Sequence, residues 1–285
     1  MSEKVSVRDI MKKKGREKII AITSYDYPTT LLIDSTGVDL ILVGDSLGMT
    51  VLGYDSTLPV TLDDMIRHTA AVARAKPKAL VVADMPFMTY EPSKRDALVN
   101  AAKLIKAGAE AVKIEGGIEY ADTVEALVDA GIPVLGHVGL TPQRKNQIGG
   151  YRLMGKDPET AEKVIEDAKA IEQAGAFAIV VEFTTAEVAK VITETVKVPT
   201  IGIGSGPYCD GQIIVIHDII GLTPKPPPFA KKYVDISTLI INAVRTYKEE
   251  VLSGKFPSED HYWHAPKNVI DYLKMRFQKN ALNYR

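Results

Sequence analysis

Three short apolar runs in this sequence each stop on a carboxylate. Asp45 follows "LILVG", Asp84 closes "LVVAD" and Glu115 closes "AVKIE". A buried, unpaired carboxylate is costly. Three like charges brought together repel until one takes up a proton or a cation sits among them. All the donors are oxygen, with no cysteine and no paired-histidine spacing, which selects a hard ion, Mg²⁺ or Mn²⁺, over Zn²⁺. The competing reading pairs one or more of these acids with Lys113 or Arg144.

Lys113 and Glu115 are two residues apart, so on a strand they share a face. A lysine beside metal-bound acids could hold a substrate carboxylate, or it could form a Schiff base. Glu182 ends the run "IVVE" alone. An isolated acid at an apolar strand tip tends toward a raised pKa, as a general base or acid near neutrality requires; a salt bridge to an unseen Lys or Arg is the alternative. His137 ends "PVLGH" and is read either as a donor to substrate or as a core histidine. Ser24, Ser46, Ser205, His217 and Asp218 also fall at or just beyond run ends. Any one of these alone reads as a cap or turn residue; together they suggest one polar rim.

What would gather them is a repeating unit. Eight aliphatic runs, at 19–23, 40–44, 80–84, 111–115, 133–137, 178–182, 200–204 and 213–217, alternate with mostly helical patterns. The runs are short, β-branched and apolar on both faces, as in buried parallel strands. "SKRDALVNAAKLIKAG" carries a stripe of Leu98, Ala101, Ala102 and Ile105, and "PETAEKVIEDAKAIEQAG" one of Ala161, Val164, Ile165 and Ala168. "TLDD" (61–64) is a capping box that starts a helix, and His68 in that helix reads as structural. Eight strands with helical crossovers predict a (β/α)8 barrel, whose active site is built from C-terminal strand ends and the loops after them. A doubly wound sheet is the alternative, and the connection "SGPYCDGQ", too short for a helix, is the weak point of the count. Two long loops, 46–61 and 140–158, are candidate lids. "GIGSG" (202–206) lacks the spacing of a dinucleotide fingerprint and reads as backbone that approaches a neighbour closely.

The bulk properties set the frame. The chain has 285 residues, net charge −1 and 46% hydrophobic residues, enough for a large core. The near-neutral charge argues against nucleic acid or an anionic membrane as partner. One cysteine, Cys209, excludes an internal disulfide framework and fits a reducing cytosol. The N-terminus has no signal-peptide h-region and no run reaches a membrane span, so a cytoplasmic protein is expected. A single barrel domain over 1–285 is expected. After a Pro-rich stretch, "DISTLIINAVRTYKEEVL" closes the barrel, and 250–285 forms a C-terminal helical appendage.

Taken together, "GDSLGM" (44–49), "VVADMPF" (81–87), "VKIEGG" (112–117), "GHVGLTPQ" (136–143), "GGYRLMGK" (149–156), "GIGSG" and "DGQIIVIHD" (210–218) resemble the ketopantoate hydroxymethyltransferase family, in matching order and spacing from about Val5 to Tyr247. The resemblance implies a (β/α)8 barrel of the phosphoenolpyruvate/pyruvate type and usually a homodecamer. It implies transfer of a one-carbon unit from 5,10-methylenetetrahydrofolate to 3-methyl-2-oxobutanoate in pantothenate and coenzyme A biosynthesis. It places Asp45, Asp84 and Glu115 on one Mg²⁺ per subunit, Asp45, Asp84, Ser46 and Lys113 on the keto acid, and makes Glu182 the proton acceptor that generates the enolate. The chain departs from the family pattern after Glu182, where it carries Phe183-Thr184-Thr185, and in "PPF" where the family has "PKF". Three other readings stay open: a Mg²⁺-dependent C–C lyase on the same barrel, a Schiff-base aldolase using Lys113, and a non-catalytic binding barrel.

Overall fold

The computed structural model describes residues 3–277. In chain order its first half contains α1 (Val7–Lys12), β1 (Ile19–Thr23), α2 (Tyr27–Asp34), β2 (Leu40–Val43), α3 (Leu47–Thr50), α4 (Leu62–Arg74), β3 (Leu80–Asp84), α5 (Lys94–Lys106), β4 (Ala111–Glu115), α6 (Ala121–Asp129) and β5 (Val134–Gly139). There follow α7 (Lys145–Ile148), α8 (Pro158–Gln173), β6 (Ala178–Glu182), α9 (Ala186–Thr195), β7 (Thr200–Ile203), β8 (Gly211–Ile214), α10 (Ile216–Ile219), α11 (Ile236–Leu252) and α12 (Lys267–Phe277).

The eight strands are parallel and close into a barrel in sequence order, with β8 pairing back onto β1 through Ile19↔Gly211 to Ile22↔Ile214. The open-sheet alternative is thereby excluded. No helix joins β7 to β8, as the short connection foretold, yet the ladder closes across it. The eighth strand starts and stops earlier than expected. The Ile216 N–H donates to Thr23 Oγ1 at 3.1 Å, off the ladder, and α10 begins there. His217 and Asp218 therefore sit on that short helix and not at a strand tip.

Alternation along the strands sorts side chains between two cores. Ile19 and Ala21, Leu40 and Leu42, Leu80 and Val82, Ala111, Leu135, Ala178 and Val180, Ile201 and Ile213 fill the barrel interior. Their neighbours Ile41, Val43, Val81, Ala83, Val112, Ile114, Ile179 and Val181 pack outward against the helices. At the bottom, Ile10 of α1 is fully buried in the interior cluster beside Phe177. α1 starts on a Ser6–Asp9 capping box, and the residues after it are tied down. Lys14 Nζ and the Gly15 N–H both donate to the Asp210 carboxylate, at 2.9 and 3.0 Å.

The helices follow their predicted faces closely but not to the residue. α5 turns Ala97, Ala101 and Leu104 inward, with Leu98 and Ile105 only partly buried. α8 buries Val164, Asp167, Ala168 and Ile171. Thr61 and Asp64 form the expected capping box at the start of α4. The chain divides into two compact units between Val234 and Asp235, ahead of the 250 boundary drawn from sequence, so α11 falls in the second unit. None of the α11 residues is buried. Among the described residues, no helix is long and apolar enough to cross a membrane.

Candidate active site

The period-two rule that builds the interior also builds the site. The face that carries Leu80 and Val82 next carries Asp84; the face with Ala111 continues to Lys113 and Glu115; Leu135 is followed by His137, and Val180 by Glu182. Where the lower positions bury hydrocarbon, the top layer buries charge. Asp45, Asp84, Lys113, Glu115 and His137 are each at most 4% exposed. Asp45 stands one residue beyond Gly44. A Cβ on Gly44 would lie 2.8 Å from Ser46 Oγ and 3.5 Å from Asp84 Oδ2, so glycine lets the first two strand ends with acids come together.

The hydrogen bonds are dense. Asp84 Oδ1 accepts from Lys113 Nζ at 2.5 Å and its Oδ2 accepts from the Asp45 N–H at 2.9 Å. Asp45 Oδ2 accepts from the side-chain amide of Gln143 at 2.9 Å. Glu115 Oε2 accepts from the Gln143 backbone N–H at 3.0 Å, while its Oε1 lies 3.8 Å from Lys113 Nζ and 3.6 Å from His137 Nδ1. Of the two readings weighed for the acids, pairing with Lys113 is present. Arg144 is elsewhere: it pairs with Glu119 and lies over the Tyr120 ring.

One ammonium does not balance this site. Burial, reinforced by the Asp84 charge, pushes Asp45 up to about 7. Burial likewise holds Glu115 well above the usual carboxyl range, against the pull of Lys113. Burial alone would depress Lys113, but Asp84, Glu115 and Asp45 outweigh it and hold the ammonium charged.

Glu182 stands on β6, 18% exposed at its side chain, and burial raises it to about 8 despite Lys113. Its immediate partner is neither Lys nor Arg but His137, whose Nε2 lies 3.3 Å from Glu182 Oε2 and donates to the Leu140 carbonyl at 2.9 Å. That bond places the proton on Nε2. Nδ1 is then an acceptor, without a hydrogen-bond partner and facing Glu115. Burial, with Lys113 second, holds His137 well below the usual histidine range, so the ring is neutral. Phe183, the first residue of the family departure, takes φ +41°, unusual for a bulky residue. The turn is held by Phe183 N–H to the Ile203 carbonyl (2.8 Å), Met154 N–H to the Phe183 carbonyl (2.9 Å) and Thr184 N–H to Ser205 Oγ (3.1 Å). Gly139 (φ +93°) packs beneath it: a Cβ there would lie 2.4 Å from the Glu182 carbonyl oxygen.

Other predicted rim residues sort into near and far. Ser46 stands at the N-cap position of α3, and its Oγ shares a hydrogen bond with the buried Tyr25 hydroxyl at 2.8 Å instead of capping the helix. Ser24 bonds to Thr30 at 2.8 Å, anchoring α2, and Ser205 to the Val181 carbonyl at 2.8 Å; both are structural. His68 holds the Tyr25 carbonyl through Nδ1 at 2.6 Å, as its structural reading required. From the long loops, Tyr151 packs its hydroxyl 3.8 Å from Met49 Sδ, under the Lys145 ammonium. Burial, followed by Glu182, Asp45 and Glu115, raises the Tyr151 phenol.

Sequence reasoning missed Gln143, Tyr90 and Tyr25 as site residues. Gln143 lies in the quoted "GHVGLTPQ", but a glutamine four residues beyond a strand carries no spacing signal. Tyr90 and Tyr25 lie among ordinary aromatics, and only the fold brings their hydroxyls to the rim.

The donor set fits a divalent cation. Four carboxylates, Asp45, Asp84, Glu115 and Glu182, sense one another around one ammonium, and the raised carboxyl values reflect negative charge that burial leaves uncompensated. Among the described residues no three His, Cys, Asp or Glu side chains wrap a single point. A cation held by one or two carboxylates and completed by water and substrate oxygen is the arrangement Mg²⁺ favours.

The comparisons with known proteins agree with this architecture. The chain is 60% identical to 3-methyl-2-oxobutanoate hydroxymethyltransferase of Hyperthermus butylicus, over 98% of this chain and 97% of that one. It is 62% identical to the protein of the same name from Caldivirga maquilingensis, over 91% and 98%. Among solved structures, 2,3-dimethylmalate lyase, a PEP mutase/isocitrate lyase superfamily member, superposes with a TM-score of 0.58 at 17% identity, covering 96% of this chain and 97% of that one; the likeness shows a shared barrel fold. The sequence model of ketopantoate hydroxymethyltransferase matches residues 4–259, and with relatives this similar over nearly the whole length, the chain belongs to the ketopantoate hydroxymethyltransferase family.

Proposed function

We propose that the chain transfers a hydroxymethyl group from 5,10-methylenetetrahydrofolate to 3-methyl-2-oxobutanoate, giving 2-dehydropantoate and tetrahydrofolate with consumption of one water. The observation that supports it best is the division of the rim. One acid, Glu182, is raised to about 8, while Asp45, Asp84 and Lys113 form a separate hydrogen-bonded group. Separated acid roles of this kind suit a proton abstraction next to a carbonyl.

Asp45 and Asp84 would hold Mg²⁺, with Glu115 behind them. When bound, the ion supplies Lewis-acid polarisation of the keto acid's oxygens. The Lys113 ammonium and the Ser46 hydroxyl fix the substrate carboxylate, and His137 lines the same pocket wall. Glu182 takes the C3 proton onto its carboxylate. The neutral His137 ring, its Nε2–H bonded to the Leu140 carbonyl, packs 3.3 Å from Glu182 Oε2 and forms the wall beside the accepting oxygen. The electron pair left at C3 forms the new C–C bond to the donor's methylene carbon. A Schiff base at Lys113 fits poorly, because its ammonium is held charged by Asp84. The exposed apolar residues of α11, among them Leu239, Ile240, Val244 and Tyr247, support a homo-oligomer, a decamer by the resemblance.

The deciding experiment follows the C3 proton of 3-methyl-2-oxobutanoate by NMR in D₂O, without folate, with and without Mg²⁺. Exchange that depends on Mg²⁺ and is lost in Glu182→Gln is expected. Metal-independent exchange trapped by borohydride would sink the metal-assisted reading, and undiminished exchange in Glu182→Gln would sink the base assignment.

A further inference from the structure

Gln143 is 3% exposed and makes hydrogen bonds to four different elements of the site. Its side-chain Nε2 donates to Asp45 Oδ2 (2.9 Å) and to the Met85 carbonyl (3.0 Å). Its Oε1 accepts from the Tyr90 hydroxyl at 2.8 Å, and its backbone N–H donates to Glu115 Oε2 at 3.0 Å. The orientation of the amide is over-determined. Reversed, it would set its oxygen against the Met85 carbonyl and the Asp45 carboxylate, two acceptors. Tyr90 is itself fixed by the Glu115 backbone, its hydroxyl lying 3.2 Å from the N–H that donates to it and 2.9 Å from the carbonyl.

We infer that Gln143 is a positioning residue: it sets the rotation of the Asp45 carboxylate about its Cβ–Cγ bond while its backbone holds Glu115, so that the two acids present fixed oxygens to a divalent cation and the keto acid. The inference rests on the proposed function. The loop 140–158 reaches the acid layer at Gln143, through the side-chain amide to Asp45 and the backbone N–H to Glu115. Fixing Oδ2 also fixes the direction of Oδ1. An oxygen aimed in advance costs no reordering when the ligand arrives. The same residue thus couples the seating of the β5 loop to the geometry of carboxylates one and three strands away.

The test uses the full chain and Mn²⁺ alone as probe, with binding followed by electron paramagnetic resonance. C3 exchange of 3-methyl-2-oxobutanoate is measured in parallel, and circular dichroism checks the fold. Gln143→Met removes every side-chain donor at similar length, and Gln143→Glu keeps the acceptor for Tyr90 but no donor for Asp45. Loss of a hydrogen bond to a charged group predicts a Mn²⁺ dissociation constant raised about tenfold or more in both, with KM for the keto acid rising and kcat for exchange changing less. In an Asp45→Asn background the further change at Gln143 should shift Mn²⁺ binding no more. If the methionine variant fails to fold, Tyr90→Phe, which frees the amide but keeps the ring, should move binding in the same direction. Folded variants with wild-type Mn²⁺ affinity and KM overturn the positioning role and leave the proposed function standing. A wild-type protein that neither binds Mn²⁺ nor exchanges C3 overturns both.

Discussion

Asp84 Oδ1 lies 2.5 Å from Lys113 Nζ with both side chains 5% exposed or less, so each ion depends on the other for its charge. Replacing Lys113 by Met leaves a carboxylate buried without its counter-ion. The expected loss is about 3–5 kcal/mol of stability, and Asp84→Asn added to it should recover most of that loss. Denaturant unfolding of the two variants checks this; a Lys113→Met protein as stable as the wild type would show that the buried pair contributes nothing net to stability.

Glu182 is raised to about 8 by burial, and a base works only once its proton is gone. Folate-free C3 exchange with Mg²⁺ present should therefore climb with pH, with its midpoint at or below about pH 8 because a bound cation favours the carboxylate form, and level off above the midpoint. Glu182→Gln should cost about 10²–10⁴ in exchange rate without lowering the melting temperature, since it removes a desolvated charge. Exchange that falls with pH would assign the group the opposite role.

Stability should show the same charge imbalance. Asp45 and Glu182 are raised to about 7 and about 8, and Glu115 is raised as well. For an acid raised on folding, the native state keeps protons that the unfolded chain has released, so stability falls as pH rises from the ordinary carboxyl value to about 8. Without metal the melting temperature should decline over that window. Mg²⁺ should restore more of it near the alkaline end than near pH 5, a comparison that differential scanning calorimetry makes directly. Equal shifts at both ends would mean that the ion does not sit among these acids.

Gly139 tests how the base is held. Ala there must adopt φ +93° and place its Cβ 2.4 Å from the Glu182 carbonyl oxygen. Gly139→Ala should destabilise by more than about 1 kcal/mol and slow C3 exchange beyond what the loss of folded protein explains. Unchanged exchange per folded molecule would show that Glu182 tolerates a shifted strand end.

Much of this site is written in sequence because strand alternation is rigid. Lys113 and Glu115 at a spacing of two, and Asp84 and Glu182 closing apolar runs, had to point into the barrel once those runs became parallel strands. The acid layer was legible for that reason, and so was the raised Glu182. His217 and Asp218 were misplaced because the apolar run continues past the point where Ile216 leaves the ladder for Thr23. The division at Val234 was hidden because an amphipathic pattern such as α11 shows that a face will be buried, not against what. Gln143, Tyr90 and Tyr25 act through contacts spanning 21 to 98 residues, which no local pattern encodes.

The seam where β8 meets β1 bears on how the chain reaches this state. Asp210 takes bonds from Lys14 and Gly15 across 196 and 195 residues of sequence, so the ring is sealed by the most distant partners it has. Contacts that remote form slowly. Until they do, the first and last strands are free edges open to pairing with other molecules. Weakening this fastener, as in Asp210→Asn, should reduce the yield of refolded protein at high concentration before it touches turnover. The bottom of the barrel thus governs survival during folding, while the top governs chemistry.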